Sequence, residues 1–338
     1  MEGNLYTPSA GEVALAFGLD EPDGGLVHFR RGGADTWRLG TSTGSYFVKG
    51  YFPTIGSQFN GEHLIDQLAV AMAFERKGRA AGVDMPEPVV PIDPVLDWLT
   101  LIGDRLFRVY RWIEHRTYDG DVSAWLGRTM VEVHQLQPLG AIGLPEWWRP
   151  ATQSSETWDG WFAKARDRDT SWAGLCADCL PHILAATERV TELLDIAPDI
   201  VTTHGDFKTH NIVTSPTGPV LVDWDSVRTD SAVLEAARVA YIFGADNPQQ
   251  INKILTAYVE AGGELGWAGP DLFLSVTRNH LQILAEQIRV SLGESTAARW
   301  MGDPATIDAA IAHLLQGFPA KLDHLRRLTT SVADLGLA

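Results

Sequence analysis

Residues 201–225 read VTTHGDFKTHNIVTSPTGPVLVDWD. Two short apolar runs flank a Ser-Pro-Thr-Gly turn, a pattern that predicts a loop leading into a β-hairpin. Such a hairpin returns Asp223 to the neighbourhood of Asn211. We therefore expect two acids, Asp206 and Asp223, and one amide, Asn211, at one end of a small sheet.

These three side chains suit phosphoryl transfer. A carboxylate such as Asp206 accepts the proton of an attacking hydroxyl, while Asn211 and Asp223 are hard oxygen ligands for the magnesium ion that bridges nucleotide phosphates. An acidic loop beside an unrelated surface hairpin is the alternative interpretation. The position of Val-Asp-Trp-Asp at the end of the hairpin disfavours that alternative.

The motif also carries a family resemblance. Its Asp-x4-Asn spacing is that of the protein-kinase catalytic loop, but the loop opens His-Gly-Asp at His204, and Asp-Trp-Asp at 223–225 replaces Asp-Phe-Gly. In both respects the segment resembles the aminoglycoside phosphotransferase and choline kinase superfamily of small-molecule kinases. The resemblance implies an α+β, bilobal protein-kinase-like fold, with a five-stranded antiparallel sheet and a helix in the N-lobe and a mostly helical C-lobe.

The lobes are predicted to divide near residue 112. Residues 1–111 would form the N-lobe and bind the nucleotide phosphates, and residues 112–338 would carry the catalytic loop, the metal site and a helical acceptor-binding region. A chain of 338 residues is long enough for two lobes with separate cores.

Charge and composition narrow the class of partner. The net charge of −16 argues against nucleic acid and is compatible with a cationic small substrate, although acidity also serves solubility. No apolar stretch is long enough for a membrane span, and the N-terminus lacks a signal-peptide pattern. We expect no membrane partner and a cytoplasmic location, and the oligomeric state stays open.

A glycine-rich turn and a strand lysine precede the motif. Glycines such as Gly32 and Gly33 let backbone amides approach phosphate oxygens, although an ordinary hairpin turn is the alternative. Kinases place the phosphate-anchoring lysine on the strand after such a loop, and here Tyr-Phe-Val-Lys ends at Lys49. The resemblance therefore assigns Gly32, Gly33, Asp35, Thr36 and Lys49 to the nucleotide. The segment is also locally similar to spectinomycin phosphotransferases.

Two further nucleotide contacts follow from the resemblance. A kinase-like helix supplies a carboxylate that pairs with Lys49. Glu75 and Glu62 are the candidates on the next predicted helix, and we prefer Glu75. A later β run leads into the hinge, where backbone groups near Arg111 and Ile113 would bond the adenine edge.

The resemblance also assigns roles around the catalytic loop. Asp206 would be the base, and Lys208 would offset charge on the transferred phosphoryl group. His204 would support the loop, and Asp225 would support the metal beside its ligands. Glu235 falls at the distance of the family's final acid, although the family's Gly-Asp-Pro is not matched in between.

The acceptor side has no motif. Asp230, Asp246 and Glu286 are candidates by chain position, because carboxylates must meet the charge of an ammonium-bearing acceptor that leaves water. Five tryptophans between 146 and 172, among them Trp158, could form an aromatic wall for a ring or cation. Packing of the helical core is the alternative use of these indoles.

The tail is predicted to hold three or four amphipathic helices, at about 249–262, 270–292, 305–316 and 319–334. Cys176 and Cys179 lie on an earlier predicted helix without a fourth zinc ligand or a βαβ context, which favours two small buried residues.

Together these features predict an ATP- or GTP-dependent, Mg²⁺-requiring phosphotransferase acting on a hydroxyl of a small molecule. Acidity and the resemblance favour an aminoglycoside or aminocyclitol antibiotic, while amino sugars, choline, homoserine and similar metabolites stay open. A catalytically idle kinase-like binding protein is the rival from another class, and it needs none of the intact catalytic set. A protein kinase is disfavoured because no Ala-Pro-Glu segment follows Asp223.

Overall fold

The structure, a computed structural model, describes residues 6–31, 34–51, 64–116, 121–136, 153–297 and 301–333. The strands are β1 (Val27–Arg31), β2 (Ala34–Thr41), β3 (Gly44–Tyr51), β4 (Pro88–Val89), β5 (Thr100–Ile102), β6 (Arg105–Arg111), β7 (Ile200–Thr203), β8 (Ile212–Ser215), β9 (Gly218–Leu221) and β10 (Arg228–Ser231). The helices are α1 (Ala10–Phe17), α2 (Leu64–Ala81), α3 (Ser123–His134), α4 (Ser155–Asp167), α5 (Cys176–Ile196), α6 (Ala232–Gly244), α7 (Pro248–Glu260), α8 (Leu274–Ser291) and α9 (Pro304–Val332).

Internal contacts divide the chain into two compact units. Unit 1 consists of Met1–Asp119 and His210–Asp225, and unit 2 of Gly120–Thr209 and Ser226–Ala338. The hairpin that ends at Asp223 therefore groups with the strand-rich part of the chain, and the loop up to Thr209 groups with the helical part.

An antiparallel sheet is the framework of unit 1, in the order β1-β2-β3-β6-β4, with β5 paired to β6. Over the described residues the sheet has six strands instead of the five that the resemblance implied, because the short strand β5 forms a hairpin with β6. One face packs against α1 through apolar residues such as Trp37, Val48 and Val109. Because side chains alternate between the faces of a strand, the neighbouring positions point to the opposite face.

That opposite face carries the polar positions of interest. Thr36 of β2, Lys49 of β3 and Arg108 of β6 are register partners, Thr36 opposite Lys49 and Lys49 opposite Arg108. Residues directly opposite each other in antiparallel strands share a face. Leu68 and Met72 of α2 pack on this face beside the strands.

The predicted hairpin is present in unit 1. Strands β8 and β9 pair from Ile212 opposite Leu221 to Ser215 opposite Gly218. The amide of Val222 then donates to the carbonyl oxygen of Asn211 at 2.9 Å. The turn thus brings the residue before Asp223 back to Asn211, as the sequence predicts.

The described part of unit 2 is helical apart from the antiparallel pair β7–β10. Its core contains Trp158, Trp161 and Trp172 together with buried residues of α5, α8 and α9. Trp158 is fully buried and meets the ring of Trp161 edge to face, with centroids 5.3 Å apart. The proposed acceptor role of Trp158 is therefore not supported, because its indole packs inside the core. Trp147 and Trp148 lie outside the described residues.

The end of the chain also differs from expectation. The two helices predicted at 305–316 and 319–334 are one helix, α9, with Pro319 inside it. Proline removes a backbone donor and frees the carbonyl four residues earlier. That carbonyl, on Leu315, accepts from the thiol of Cys179 at 2.8 Å. Cys179 is thus a buried structural residue whose thiol supplies a hydrogen bond to the carbonyl that the proline leaves without its helical donor. Among the described helices, none combines the length and apolarity required to cross a bilayer.

Candidate active site

Lys49 lies at the centre of the polar face of unit 1. Its ammonium group bonds to Asp223, and it approaches the Oδ2 atom of Asp225 at 2.5 Å. Burial alone disfavours the charged amine, but these two carboxylates outweigh it and raise the pKa of Lys49 well above its usual value. The sequence-predicted strand lysine and the predicted metal acid are therefore brought together.

Asp225 accepts bonds on both of its oxygens. Besides Lys49, the Tyr51 hydroxyl donates to Oδ2 and the Arg108 guanidinium donates to Oδ1, each at 2.8 Å. Burial raises the pKa of Asp225, but Lys49 and Arg108 reverse this effect and lower it to about 2. With its donors supplied by the protein, Asp225 can anchor Lys49 more readily than it can bind a metal directly.

Glu75 differs from its predicted pairing. It lies on the buried side of α2 and bonds to Arg108, and Tyr110 donates to the same carboxylate oxygen at 3.3 Å. The expected Glu75–Lys49 pair is thus replaced by a Glu75–Arg108 pair, because the guanidinium of β6 reaches the helix acid and Lys49 turns to the acids after the hairpin. The other candidate, Glu62, lies outside the described residues.

Asn211 and Asp223 fit a hard divalent cation. Asn211 is buried and tied through its carbonyl to Val222, while the Asp223 side chain is 43% exposed. Asp223 also has a left-handed φ of 69°, an uncommon conformation outside glycine. No three His, Cys, Asp or Glu side chains of the described residues converge as a metal cluster. An amide and a carboxylate supplemented by phosphate oxygens and water are a donor set that Mg²⁺ accepts.

The predicted phosphate loop is described only in part. Gly32 and Gly33 lie outside the described residues. Asp35 is buried, and its carboxylate accepts from Arg105 at 2.9 Å. This bond links strands β2 and β6 of the sheet. Thr36 lies opposite Lys49 and shares its face of the sheet.

The two residues predicted to lie at the hinge, Arg111 and Ile113, differ in their backbone hydrogen bonds. The amide of Arg111 donates to the carbonyl of Glu87 at 2.8 Å, and its side chain pairs with the carboxylate of Glu87 at 3.1 Å. No described residue accepts from the amide of Ile113. Of the two residues, Ile113 is therefore the one whose backbone amide has no acceptor among the described residues.

The predicted catalytic loop, residues 204–208, is shaped by its backbone within unit 2. Gly205 has φ 78°, and a Cβ atom there would stand 1.9 Å from the carbonyl oxygen of Ser226. Only glycine fits this conformation and this contact. His204 is fully buried, and its Nδ1 accepts from the amide of Asp206 at 3.3 Å. Lys208 pairs with the Asp206 carboxylate at 2.7 Å, on a partly exposed side of the loop.

The buried acid Glu235 is linked to this loop through Thr203. Glu235 accepts from the hydroxyl of Thr203, which itself accepts from the amide of Gly205 at 3.2 Å. Glu235 also lies 3.0 Å from His134 and 3.2 Å from Arg238. Burial raises the pKa of Glu235, but the bond to His134 and the nearby cations depress it well below its usual value.

The acceptor candidates separate into two kinds. Asp230 is buried and paired bidentately with Arg278, so its charge is already met inside unit 2 and is not open to an acceptor. Asp246 is exposed and lies 3.1 Å from His324. Glu286 is half-buried and lies 3.5 Å from Arg289.

Sequence reasoning missed Arg108 and Tyr51. Arg108 is a charged residue inside the apolar run Leu-Phe-Arg-Val-Tyr, and it is fully buried. An arginine that interrupts a strand at a position facing the core signals a buried carboxylate partner. Its partners, however, could be identified only from the structure.

Comparisons with known proteins identify the family and the fold. The sequence profile described as the phosphotransferase enzyme family matches residues 27–273, which is more than half of the chain. No curated protein sequence matches the chain. Among solved structures, an amicoumacin kinase in complex with AMP-PNP, Ca²⁺ and its antibiotic is 13% identical, with a TM-score of 0.62 over 92% of each chain.

Two further structures show the same fold. A choline/ethanolamine kinase family protein from Mesorhizobium loti is 16% identical, with a TM-score of 0.61 over 96% of this chain and 98% of the other. A spectinomycin phosphotransferase in complex with ADP and spectinomycin is 14% identical, with a TM-score of 0.55 over 92% and 99%. The predicted α+β kinase-like fold is confirmed. The chain belongs to the phosphotransferase enzyme family, as an enzyme that transfers a phosphoryl group to a hydroxyl of a small molecule.

Proposed function

We propose that this enzyme transfers the terminal phosphoryl group of ATP or GTP, with Mg²⁺, to a hydroxyl of a small cationic molecule such as an aminoglycoside or aminocyclitol antibiotic. One observation carries the nucleotide half of the proposal. Lys49 bonds to Asp223, a residue 174 positions later in the chain. A strand lysine beside the acid that follows the hairpin is the arrangement that grips nucleotide phosphates and their metal.

Each group of unit 1 then has a role at the nucleotide. Lys49 contacts the α and β phosphates, and Asn211 and Asp223 hold the metal, which when bound neutralises charge on the transferred group. The sequence alone assigns Gly32, Gly33 and Thr36 to the phosphates. ATP with a divalent metal is supported by the AMP-PNP and Ca²⁺ of the amicoumacin kinase and by the ADP of the spectinomycin phosphotransferase.

The proton of the acceptor goes to the catalytic loop. Asp206 orients the acceptor hydroxyl and accepts its proton as the oxygen attacks. Lys208 is already within 2.7 Å of this carboxylate and offsets the negative charge that develops on the phosphoryl group. His204 and Gly205 fix the backbone that presents Asp206.

The cationic acceptor is supported by charge and by similarity. The net charge of −16 attracts cations, and Asp246 and Glu286 are the candidate acids that are not deeply buried. Spectinomycin and amicoumacin are bound by the similar structures described above. Under this proposal, expression of the chain in a susceptible bacterium would confer resistance to its acceptor antibiotic.

An amino metabolite of the choline or ethanolamine type is the second candidate. The match to the choline/ethanolamine kinase family protein covers 98% of that protein's chain, with a TM-score of 0.61. Both candidates are small, carry ammonium groups and bear hydroxyls, so acidity does not separate them. A catalytically idle binding protein is disfavoured because Lys49, Asp206, Asn211 and Asp223 are all present.

A nucleotide-consumption screen tests the proposal. Purified protein is incubated with ATP or GTP, Mg²⁺ and single hydroxyl compounds of cationic, neutral and anionic type, with the Asp206→Asn variant as the matched background. We expect consumption above that background with an aminocyclitol, an aminoglycoside or an amino alcohol. A screen that returned only uncharged or anionic acceptors would defeat the cationic acceptor and leave the phosphotransferase assignment standing.

A further inference from the structure

Arg108 joins two carboxylates that come from distant parts of unit 1. Its side chain is fully buried on β6. One terminal nitrogen bonds to Glu75 of α2, and the other donates at 2.8 Å to Asp225, which follows the hairpin. The planar fork of a guanidinium suits such a bridge, because its donors have fixed directions.

Asp225 in turn holds Lys49. Its second oxygen lies 2.5 Å from the Lys49 ammonium and accepts from the Tyr51 hydroxyl at 2.8 Å. The Asp225 side chain is 8% exposed, against 43% for Asp223. Of the two acids that contact Lys49, Asp225 is therefore the one fixed from several sides, and Asp223 is the one open to a ligand.

We infer that Arg108 is a positioning residue for the nucleotide, because it fixes Asp225 and thereby the direction of the Lys49 ammonium. The helix acid Glu75 does not contact Lys49 directly but influences its position through Arg108 and Asp225. The inference rests on the proposed contact of Lys49 with the nucleotide phosphates. It adds a continuous chain of side chains, Glu75–Arg108–Asp225–Lys49, that links α2 to that contact.

Charge supports this order of contacts. A direct bond from Lys49 to Glu75 would leave the buried guanidinium with one carboxylate fewer and would leave Asp225 without its ammonium partner. Removing one partner of a buried ion pair is costly, whereas replacing both by apolar groups is often tolerated. Replacing Glu75 and Arg108 together therefore limits the loss of stability, so that an effect of Arg108 on nucleotide binding can be measured separately.

The decisive experiment compares single and double replacements. Arg108→Met, the double variant Glu75→Met with Arg108→Met, and Arg108→Lys are examined by thermal unfolding and by calorimetric titration with Mg²⁺–ATP. We expect the double variant to regain stability relative to Arg108→Met, yet to bind Mg²⁺–ATP about tenfold more weakly than the wild type, or ~1.4 kcal/mol. Its KM for ATP should rise while its KM for the acceptor stays unchanged.

Arg76→Met is the matched control for charge. Arg76 lies next to Glu75 on helix α2, is exposed and pairs with Asp97 at 2.9 Å. Its replacement changes the net charge by the same amount as Arg108→Met but leaves the Glu75–Arg108–Asp225–Lys49 contacts in place. We expect wild-type affinity for Mg²⁺–ATP in this variant. Equal weakening in Arg76→Met and Arg108→Met would show a general charge effect and overturn the inference.

Two further outcomes are decisive. A folded double variant with wild-type affinity for Mg²⁺–ATP would reduce Arg108 to a structural residue. If the double variant does not fold, Arg108→Lys decides, because an ammonium keeps the charge but cannot bridge two carboxylates as a fork does; we expect a several-fold loss of affinity, and unchanged affinity would overturn the inference. Failure of the wild type itself to bind Mg²⁺–ATP would instead count against the proposed function.

Discussion

The proposed catalytic loop at 204–208 and the proposed metal-binding segment at 211–225, called the loop and the metal segment below, are held in place by different means. The loop depends on backbone geometry, with Gly205 in a left-handed conformation against the carbonyl of Ser226. The metal segment depends on charged side chains, since Lys49 and Arg108 bind the two acids at its end.

Because of this difference, we expect the loop acid to affect the reaction rate and the buried acid of the metal segment to affect stability. Asp206 in the loop is 28% exposed, and its carboxylate pairs with the partly exposed Lys208 at 2.7 Å. Asp225 is almost fully buried and accepts from three side chains. Substitution of the loop acid should therefore affect turnover alone, whereas substitutions in the metal segment should affect binding and stability together.

The largest expected effect is on turnover in Asp206→Asn. Loss of a positioned base costs about 10²- to 10⁴-fold in rate. Affinity for Mg²⁺–ATP and the unfolding temperature should stay close to wild type, because the base acts on the acceptor and the asparagine keeps the shape. Steady-state kinetics and calorimetry measure both. Wild-type turnover would remove Asp206 from the mechanism, and a large loss of stability would break the contrast between the two segments.

Asp223→Ala should lose metal-dependent nucleotide binding as well as rate. Loss of a metal ion that offsets negative charge at the phosphates should cost about 10²- to 10³-fold in rate. Titration of ATP with and without Mg²⁺ separates the two contributions, and we expect the variant to bind both forms of the nucleotide alike. A normal preference for the magnesium complex would place the metal elsewhere.

Much of the metal segment could be predicted from the sequence because its signals are local. Two apolar runs around a turn specify the hairpin, and pairing of Ile212 with Leu221 follows from it. The strand that carries Lys49 was likewise visible as a β-rich run. The pattern of Asp206, Asn211 and Asp223 led to the family, which the comparisons confirm.

The contacts that the sequence did not reveal are long-range. Arg108 lies 33 positions from Glu75 and 117 from Asp225, and no local spacing encodes either pair. The density of tryptophans did not decide whether Trp158 faces a ligand or the core. The two helices predicted at 305–316 and 319–334 are one helix, in which the thiol of Cys179, 136 positions before Leu315, donates to the carbonyl that Pro319 frees.

Gly205→Ala tests whether backbone shape holds the loop. A methyl group would strike the carbonyl of Ser226 and force a strained φ, so we expect a loss of about 3 kcal/mol or more in unfolding free energy. Gly218→Ala in the metal hairpin is the control, because its φ of 136° is also unusual but no heavy atom lies within 4 Å of the added Cβ. Urea unfolding should show a loss of only about 1 kcal/mol there. Equal losses would mean that φ strain alone, and not the close contact, fixes Gly205.

The smallest expected effect concerns the acid behind the loop. Glu235→Gln keeps the volume of the side chain but weakens its bonds to His134, Arg238 and Thr203, and a charged hydrogen bond contributes about 2 kcal/mol. Because the folded-state pKa of Glu235 is depressed, the wild-type residue stabilises the fold fully above its unfolded pKa of about 4.3 and loses this contribution as the pH falls below it. The difference in unfolding free energy between wild type and variant should therefore be largest near pH 7 and shrink below about pH 4. Urea titrations at the two pH values measure it, and a difference that did not change with pH would mean that Glu235 supports Thr203 and the loop by shape and not by charge.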